Sequence, residues 1–307
     1  MLDRKFIIEN VEAVKQNCAD RGVEADVDRL VELETKRREL QKHVQELNTQ
    51  ANQVSKSIGT AKDDEEREAR KEEGRKLREQ KDAAQGEVDE LDDEIDAIQR
   101  LIPNLTHPDA PRGADDKANL EIRKGKAEPP KFDFQPLDHV ELAEKHDMID
   151  FEGGGQVAGA GFYFLKNDAV LLEMALTRYA VDLLMSEGFT PTITPDLARN
   201  EILGGIGFIP RGPETQIYSI EESDLSLVAT AEITLGGMLS GKTLDFEQLP
   251  IKVCGISHCF RTEAGAAGRA SRGLYRVHQF TKVEMFAFTA GDMAVGAKTL
   301  EEVCELG

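Results

Sequence analysis

The chain has 307 residues, 40% of them hydrophobic, enough to bury a real core and to form more than one domain. Its formal net charge of −20 at pH 7 excludes a protein that coats nucleic acid, since phosphate binding over a whole face leaves a basic footprint; any RNA contact has to be local. Four cysteines, Cys18, Cys254, Cys259 and Cys304, have neither a disulfide framework nor the second pair a zinc site needs, so reduced thiols in a cytoplasmic protein are expected. At the start, Met1-Leu2-Asp3-Arg4-Lys5 meets charge before any apolar run of signal-peptide length. No later stretch approaches the ~18 apolar residues of a membrane span.

Leu30, Leu33, Leu40, Val44, Leu47, Ala51, Val54 and Ile58 form a heptad-like series, and only Arg37 breaks the apolar line. Such spacing marks a helix whose narrow stripe meets a partner helix, and Leu77, Ala84, Val88, Leu91, Ile95, Ile98 and Ile102 supply that partner. Between them Ser57-Ile58-Gly59-Thr60-Ala61-Lys62-Asp63 offers a glycine for the reversal and Thr60 or Asp63 as a cap for the returning helix. The expectation is an antiparallel hairpin of roughly thirty residues per helix, an arm about 45 Å long that projects into solvent. The first helix carries Arg29, Lys36, Arg37, Arg38, Lys42 and Lys56, whereas the second is crowded with Asp and Glu. If RNA is touched, the first helix is the better candidate, although such charges are more often a solvated face with intrahelical pairs.

Pro103, Pro108 and Pro111 end the hairpin. A polar stretch with Pro129 and Pro130 leads, somewhere between residues 112 and 135, to apolar segments punctuated by glycine. The chain is therefore read as two domains, 1–110 and 111–307. Ala169 to Ser186 has helical periodicity with a stop at Gly188. The region 189–288 reads mainly as strands, loops and turns, with Ile251-Lys252-Val253-Cys254 strand-like.

Phe260-Arg261-Thr262-Glu263, a loop rich in Gly and Ala, and Arg276-Val277-His278-Gln279-Phe280-Thr281-Lys282-Val283-Glu284 read as a hairpin. Alternate residues of a strand share a side. Arg261 and Glu263 are therefore expected to point together, as are Arg276, His278, Phe280 and Glu284, with Phe260 in the core. A guanidinium for a phosphate, a ring for a base and carboxylates for an amine or hydroxyl would then meet on one surface. Singly, each has a plainer account as a surface ion pair, a core aromatic or a solvated charge. Their joint register points to nucleotide binding.

That set resembles motif 2 of the class II aminoacyl-tRNA synthetases: an arginine and a glutamate two apart, a loop, then Arg followed four residues later by Phe. Thr230-Ala231-Glu232 resembles the Thr-x-Glu segment of the seryl enzymes, and Gly188 to Pro195 resembles motif 1. The opening residues and the hairpin are similar to that family's start and tRNA-binding arm. The resemblance covers essentially the whole chain. It implies an α+β protein in which a long antiparallel helical arm precedes an antiparallel β-sheet domain flanked by helices.

By the same resemblance, Arg261, Thr262 and Glu263 bind ATP, with Arg261 on the α-phosphate and Phe280 stacked on adenine; Arg261 and Glu263 are the catalytic candidates. Thr230, Ala231, Glu232 and Glu284 hold L-serine. A pocket that bonds the serine hydroxyl can reject alanine by roughly 10⁴ or more. Pro195 lies at a homodimer interface, and Mg2+ accompanies ATP. The implied reaction is ATP-dependent attachment of serine to tRNA(Ser) through a seryl-adenylate, with no protein nucleophile and no DNA or membrane partner. Lys36, Arg37, Arg38 and Lys42 would meet the tRNA. Arg269 and Arg272, in a motif 2 loop spanning Ala264 to Tyr275, could reach its acceptor end, although an ordinary surface loop reads equally well.

The chain reaches Gly307 soon after motif 2, so the family's later glutamate-serine ATP segment and motif 3 are not in it. An open sheet edge and weak or absent serine activation by this polypeptide alone are expected. Two other readings stay open: a module that holds tRNA or a partner without catalysis, and a structural coiled-coil protein. The joint presence of Thr230, Glu232, Arg261 and Glu284 counts against the second.

Overall fold

A computed structural model describes residues 1–113, 115–125, 127–208, 216–263 and 272–307. Its contacts divide the chain into Met1–Glu128 and Pro129–Gly307. In the first unit α1 (Arg4–Glu9) and α2 (Val11–Asp20) precede α3 (Val27–Ser57) and α4 (Asp64–Leu101). The long helices have 31 and 38 residues, or about 46 and 57 Å at the α-helical rise. Asp63 caps α4 by accepting from the Glu66 amide at 2.8 Å, while Thr60 bonds back to the Ser57 carbonyl instead.

The heptad stripe is the seam. Leu30, Leu33, Leu91, Ile95 and Ile102 pack with Ile7, Val14 and Cys18 of the short helices. Further along the arm Val44 and Leu47 meet Ala84 and Val88. Arg37, the break in the stripe, is explained by a polar layer. Its guanidinium forks onto Glu34 at 2.7 and 2.9 Å, and the Glu34 side chain is only 3% exposed. Arg38 adds a third bond at 2.8 Å. Arg4 of α1 reaches across to Asp92 at 2.6 Å, Asp96 at 2.5 Å and Gln99 at 3.1 Å on α4. The Arg37 guanidinium holds the Glu34 carboxyl below its ordinary range, against the opposing push of burial.

The second unit runs α5 (His139–Lys145), β1 (Ile149–Asp150), α6 (Phe151–Ala158), β2 (Phe164–Leu165), α7 (Asp168–Ser186), β3 (Thr190–Ile193) and β4 (Leu197–Arg199). It continues through α8 (Asn200–Ile206), β5 (Leu225–Leu227), α9 (Ala231–Met238), β6 (Ile251–Phe260), β7 (Gln279–Phe288) and α10 (Met293–Leu306). The main sheet has the order β3-β6-β7. β3 joins β6 in parallel and the longer β6–β7 ladder is antiparallel, so β7 is an open edge among the described residues.

α7 stops where the sequence placed its signal. Gly188 takes φ +85, the Gly188 amide bonds the Met185 carbonyl, and the Phe189 amide bonds the Leu184 carbonyl. This is a left-handed C-terminal cap closed by the Leu184–Phe189 contact. Leu184 and Phe189 then pack with Cys254, Val283 and Met285 on one face of the sheet, and α9 covers the other through Ala231, Leu235, Val253 and Phe286.

Three expectations need correction. The stretch 189–288 is mainly strands, loops and turns, but α8 and α9 have to be added to it; both are short and glycine-containing, which hid their periodicity. β6 ends at Phe260 and β7 begins at Gln279, so Arg261, Glu263, Arg276 and His278 lie outside the ladder and strand alternation does not place them. Phe260 is half-buried, and the fully buried position at that end of β6 belongs to Cys259. All four cysteines are free, Cys304 exposed and the others buried. No described helix is long and apolar enough to cross a membrane.

Candidate active site

The sheet positions the chemistry through Gly255. It lies opposite Glu284 in the β6–β7 register, and a methyl there would come within 2.9 Å of Ala231 Cβ and 2.8 Å of Leu235 Cδ1. Without that methyl α9 seats directly on the sheet. Ala231 is therefore fully buried against the strand, and its neighbours Thr230 and Glu232 arrive at Glu284. Thr230 is the N-cap of α9 and donates its hydroxyl proton to Glu284 Oε2. The Glu232 amide also donates to Glu284 Oε2, at 3.2 Å. Lys282 donates to Thr230 Oγ1 and to Glu284 Oε1, both at 2.9 Å. Burial pushes the Glu232 carboxyl up, the nearby Glu284 pushes it further, and Lys282 opposes both.

Phe280 stands on the same face of β7, two residues before Lys282 and four before Glu284, about 13 Å from the latter along the strand. The Arg261 guanidinium lies 5.1 Å from the Phe280 ring centroid. A backbone clasp holds Arg261 in place: its amide donates to the His278 carbonyl at 3.0 Å, and His278 Nδ1 lies 2.9 Å from its carbonyl oxygen. A carbonyl only accepts, so Nδ1 carries the proton. That ring nitrogen also meets the Tyr218 hydroxyl at 2.7 Å, and the imidazole stacks on Phe162 with centroids 5.1 Å apart. Glu263 follows with φ +52, an uncommon conformation for a residue with a side chain, and pairs with Arg276 at 3.2 Å. The Thr262 amide bonds the Gln216 carbonyl.

Arg261, Glu263 and Phe280 share a cleft of about 780 Å³ with Tyr163, Tyr275 and Val283. Phe280 and Val283 point to opposite faces of β7, so the cleft wraps round the free edge of that strand. Thr230, Glu232 and Glu284 do not line it; they form a separate cluster further along the face that carries Phe280. Arg272 pairs with Asp138 at 2.6 Å, while Arg269 lies outside the described residues. Pro195 is exposed. On the arm Lys36 and Lys42 are exposed, while Arg37 and Arg38 are engaged with Glu34. Lys282 is missing from the residues singled out in the sequence, although strand alternation already put it on the face of Phe280 and Glu284. Tyr218 and Phe162 carry no sequence signal, because only the fold brings them to His278.

Residues 216–305 match the model of the tRNA synthetase class II core domain (G, H, P, S and T). With the motif 2 residues gathered at the edge of the sheet, the fold and site define a class II aminoacyl-tRNA synthetase core. Residues 1–106 match the seryl-tRNA synthetase N-terminal domain. The chain is 60% identical over 306 residues to a serine–tRNA ligase of Rhodopirellula baltica, covering 100% of this chain and 71% of that protein. It is 52% identical to the Rubrobacter xylanophilus serine–tRNA ligase, covering 98% and 72%. Among solved structures, the seryl-tRNA synthetase of Pyrococcus horikoshii complexed with ATP superposes with TM-score 0.78 at 34% identity, over 94% of this chain and 69% of that one. The cytoplasmic serine–tRNA ligase of Naegleria fowleri in complex with AMP gives 0.80 at 28% identity, over 100% and 71%. The chain belongs to the seryl-tRNA synthetase family.

Proposed function

We propose that this chain carries the serine- and ATP-binding face of a serine–tRNA ligase, together with its tRNA-binding arm. The observation that carries the reading is the order of groups along one face of β7. Arg261 and Phe280 stand at one end, and Glu284 with Thr230 and Glu232 at the other. An adenylate, with base and amino acid separated by ribose and phosphate, suits that span. Adenine stacks on Phe280, the α-phosphate meets Arg261, and serine lies among the carboxylates. Glu263 supports the nucleotide end through its pair with Arg276.

In the first step a serine carboxylate oxygen attacks the α-phosphorus and pyrophosphate leaves. Arg261 counters the charge that develops on the phosphoryl oxygens, a role typically worth about 10²–10³ in rate. In the second step a terminal ribose hydroxyl of tRNA attacks the acyl carbon and AMP leaves. No side chain forms a bond to substrate, so catalysis rests on positioning. The described residues contain no group of three or more His, Cys, Asp or Glu able to hold a metal ion. Mg2+ would accompany the ATP phosphates, and no step is routed through it.

The arm's exposed cations, Lys36 and Lys42, are the proposed tRNA contacts on α3, with Arg272 on the motif 2 side. A homodimer is supported by α7, whose Leu171 and Met174, three residues apart on the side turned away from the cleft, are 64% and 65% exposed. Exposed apolar side chains of this size call for a partner surface, and Pro195 is assigned to the same interface. The cytoplasm is the proposed compartment.

Calorimetric titration with AMP and with a non-hydrolysable sulfamoyl analogue of seryl-adenylate tests the reading. The seryl analogue should bind at least ~10²-fold tighter than AMP. Glu284→Gln should remove most of that difference, and Arg261→Ala should weaken both ligands by about tenfold or more. Equal affinity for AMP and the seryl analogue in the unaltered protein would remove the serine site.

A further inference from the structure

Lys282 has no part in the reading above, yet it is the best-connected cation in the serine cluster. An ammonium only donates. Thr230 Oγ1 accepts from it and must therefore turn its own proton to Glu284, as the contact with Oε2 shows. Glu284 then accepts from Thr230 and the Glu232 amide on Oε2 and from Lys282 on Oε1. A carboxylate has about four acceptor positions, so a single one, on Oε1, is left for a ligand. The Glu232 carboxylate has no ion-pair partner among the described residues, and Lys282 acts on it only through space.

We propose that Lys282 is the positioning residue for serine. It fixes the Thr230 hydroxyl and the Glu284 carboxylate so that the one remaining Glu284 position takes the serine hydroxyl, while Glu232 takes the ammonium. The charges agree with this division. Two carboxylates against one lysine leave a single negative charge, which the ammonium of a bound amino acid neutralises. The inference rests on the assignment of Thr230, Glu232 and Glu284 to serine.

Around the two carboxylates the facing groups are Lys282 on β7 and Cys259 on β6, while Arg261 bears on Cys259 from the other side. Burial pushes the Cys259 thiol up, so it stays neutral through the range in question. Burial and Glu284 already push the Glu232 carboxyl up and Lys282 opposes them, so without Lys282 Glu232 should hold its proton to higher pH. The serine ammonium needs Glu232 ionised, so binding should be lost as pH falls, and lost earlier in the variant.

The test titrates the sulfamoyl analogues of seryl- and alanyl-adenylate, with AMP as the control for a folded nucleotide half. It uses the unaltered protein, Lys282→Met and Lys282→Arg between about pH 5.5 and 8.5. For Lys282→Met the expected results are a 10- to 100-fold loss of seryl-analogue affinity, roughly, at neutral pH, and an upward move of about one unit in the pH at which binding fails. The preference for seryl over alanyl should fall about tenfold or more, with AMP binding unchanged. Lys282→Arg should restore the pH midpoint through its charge but not the full preference, because a planar fork cannot serve both acceptors as an ammonium does. The side chain is 31% exposed, so folding should survive; if AMP binding fails, Lys282→Gln replaces Lys282→Met under the same criteria. A Lys282→Met protein that keeps its AMP affinity, its pH midpoint and its seryl preference overturns the proposal. If the unaltered protein binds AMP and does not prefer the seryl analogue, the underlying assignment of the serine site has failed instead.

Discussion

Substituting Gly255 by alanine separates the seating of α9 from the identity of the site residues, since Gly255 contributes no side chain to either ligand end. The new methyl would sit 2.9 Å from Ala231 Cβ and 2.8 Å from Leu235 Cδ1, against the ~3.5–4.0 Å that carbon atoms prefer. Leu235 can rotate away, but Ala231 cannot, so α9 has to retreat by roughly 0.6–1 Å. Thr230 moves with it, and its 2.9 Å bond to Lys282 stretches to about 3.5 Å or more, beyond hydrogen-bond range. Overpacking of this kind costs about 1–3 kcal/mol of stability. Loss of the charge-assisted contacts should weaken the seryl-adenylate analogue by about tenfold or more, with little change for AMP. Urea denaturation and calorimetry read the two effects. Gly204→Ala is the internal control: a Cβ there meets nothing within 4 Å, and replacing a helical glycine should stabilise by about 0.5–1 kcal/mol. If Gly255→Ala matches the unaltered protein in both stability and analogue binding, the close approach of α9 does not hold the serine cluster together.

Removing Arg37 alone, as Arg37→Leu, should destabilise the arm by about 3 kcal/mol because it leaves buried Glu34 without its forked partner; hydrogen exchange along α3 and α4 would show it. Glu34 has its carboxyl pKa lowered by folding, so its stabilisation is fully present above the ordinary glutamate value of about 4.3 and is lost as pH falls through the lowered folded value. Glu34→Gln should therefore flatten the acid limb of arm stability below about pH 4.3, as followed by melts monitored at a helix signal. Asp63→Ala should cost about 1 kcal/mol and speed exchange in the first turn of α4, whereas Thr60→Ala should leave that turn unchanged. Met174→Glu on the side of α7 turned away from the cleft should yield a monomer in sedimentation if that face holds the dimer.

The hairpin was legible because a heptad stripe is a long, redundant signal: losing Arg37 from the seam did not disturb the period. What the sequence could not show was why Arg37 sits there, since its partner Glu34 is buried by the geometry of α3, α4 and α1 together. The motif 2 residues are found by spacing, but strand alternation accounts for their convergence only in part. Arg261 and His278 meet through backbone bonds beyond the strand ends, where alternation no longer applies. Alternation did hold inside β7, and applied without selection it would have included Lys282 between Phe280 and Glu284. Thr230 and Glu232 came from a motif, whereas their approach to Glu284 depends on a glycine in β6 that has no local signature. α8 and α9 were missed because helices of 7 and 8 residues containing glycine pairs are too short to establish a period.

One face of β7 is proposed to hold the two ends of an aminoacyl-adenylate. The most direct measurement is a crystal structure of the chain soaked with the sulfamoyl analogue of seryl-adenylate. Adenine is expected on the Phe280 ring, the sulfamoyl group at Arg261, the amino group at Glu232 and the hydroxyl at Glu284 Oε1. An analogue bound with its adenine away from Phe280, or with its seryl end out of reach of Glu232 and Glu284, would contradict it.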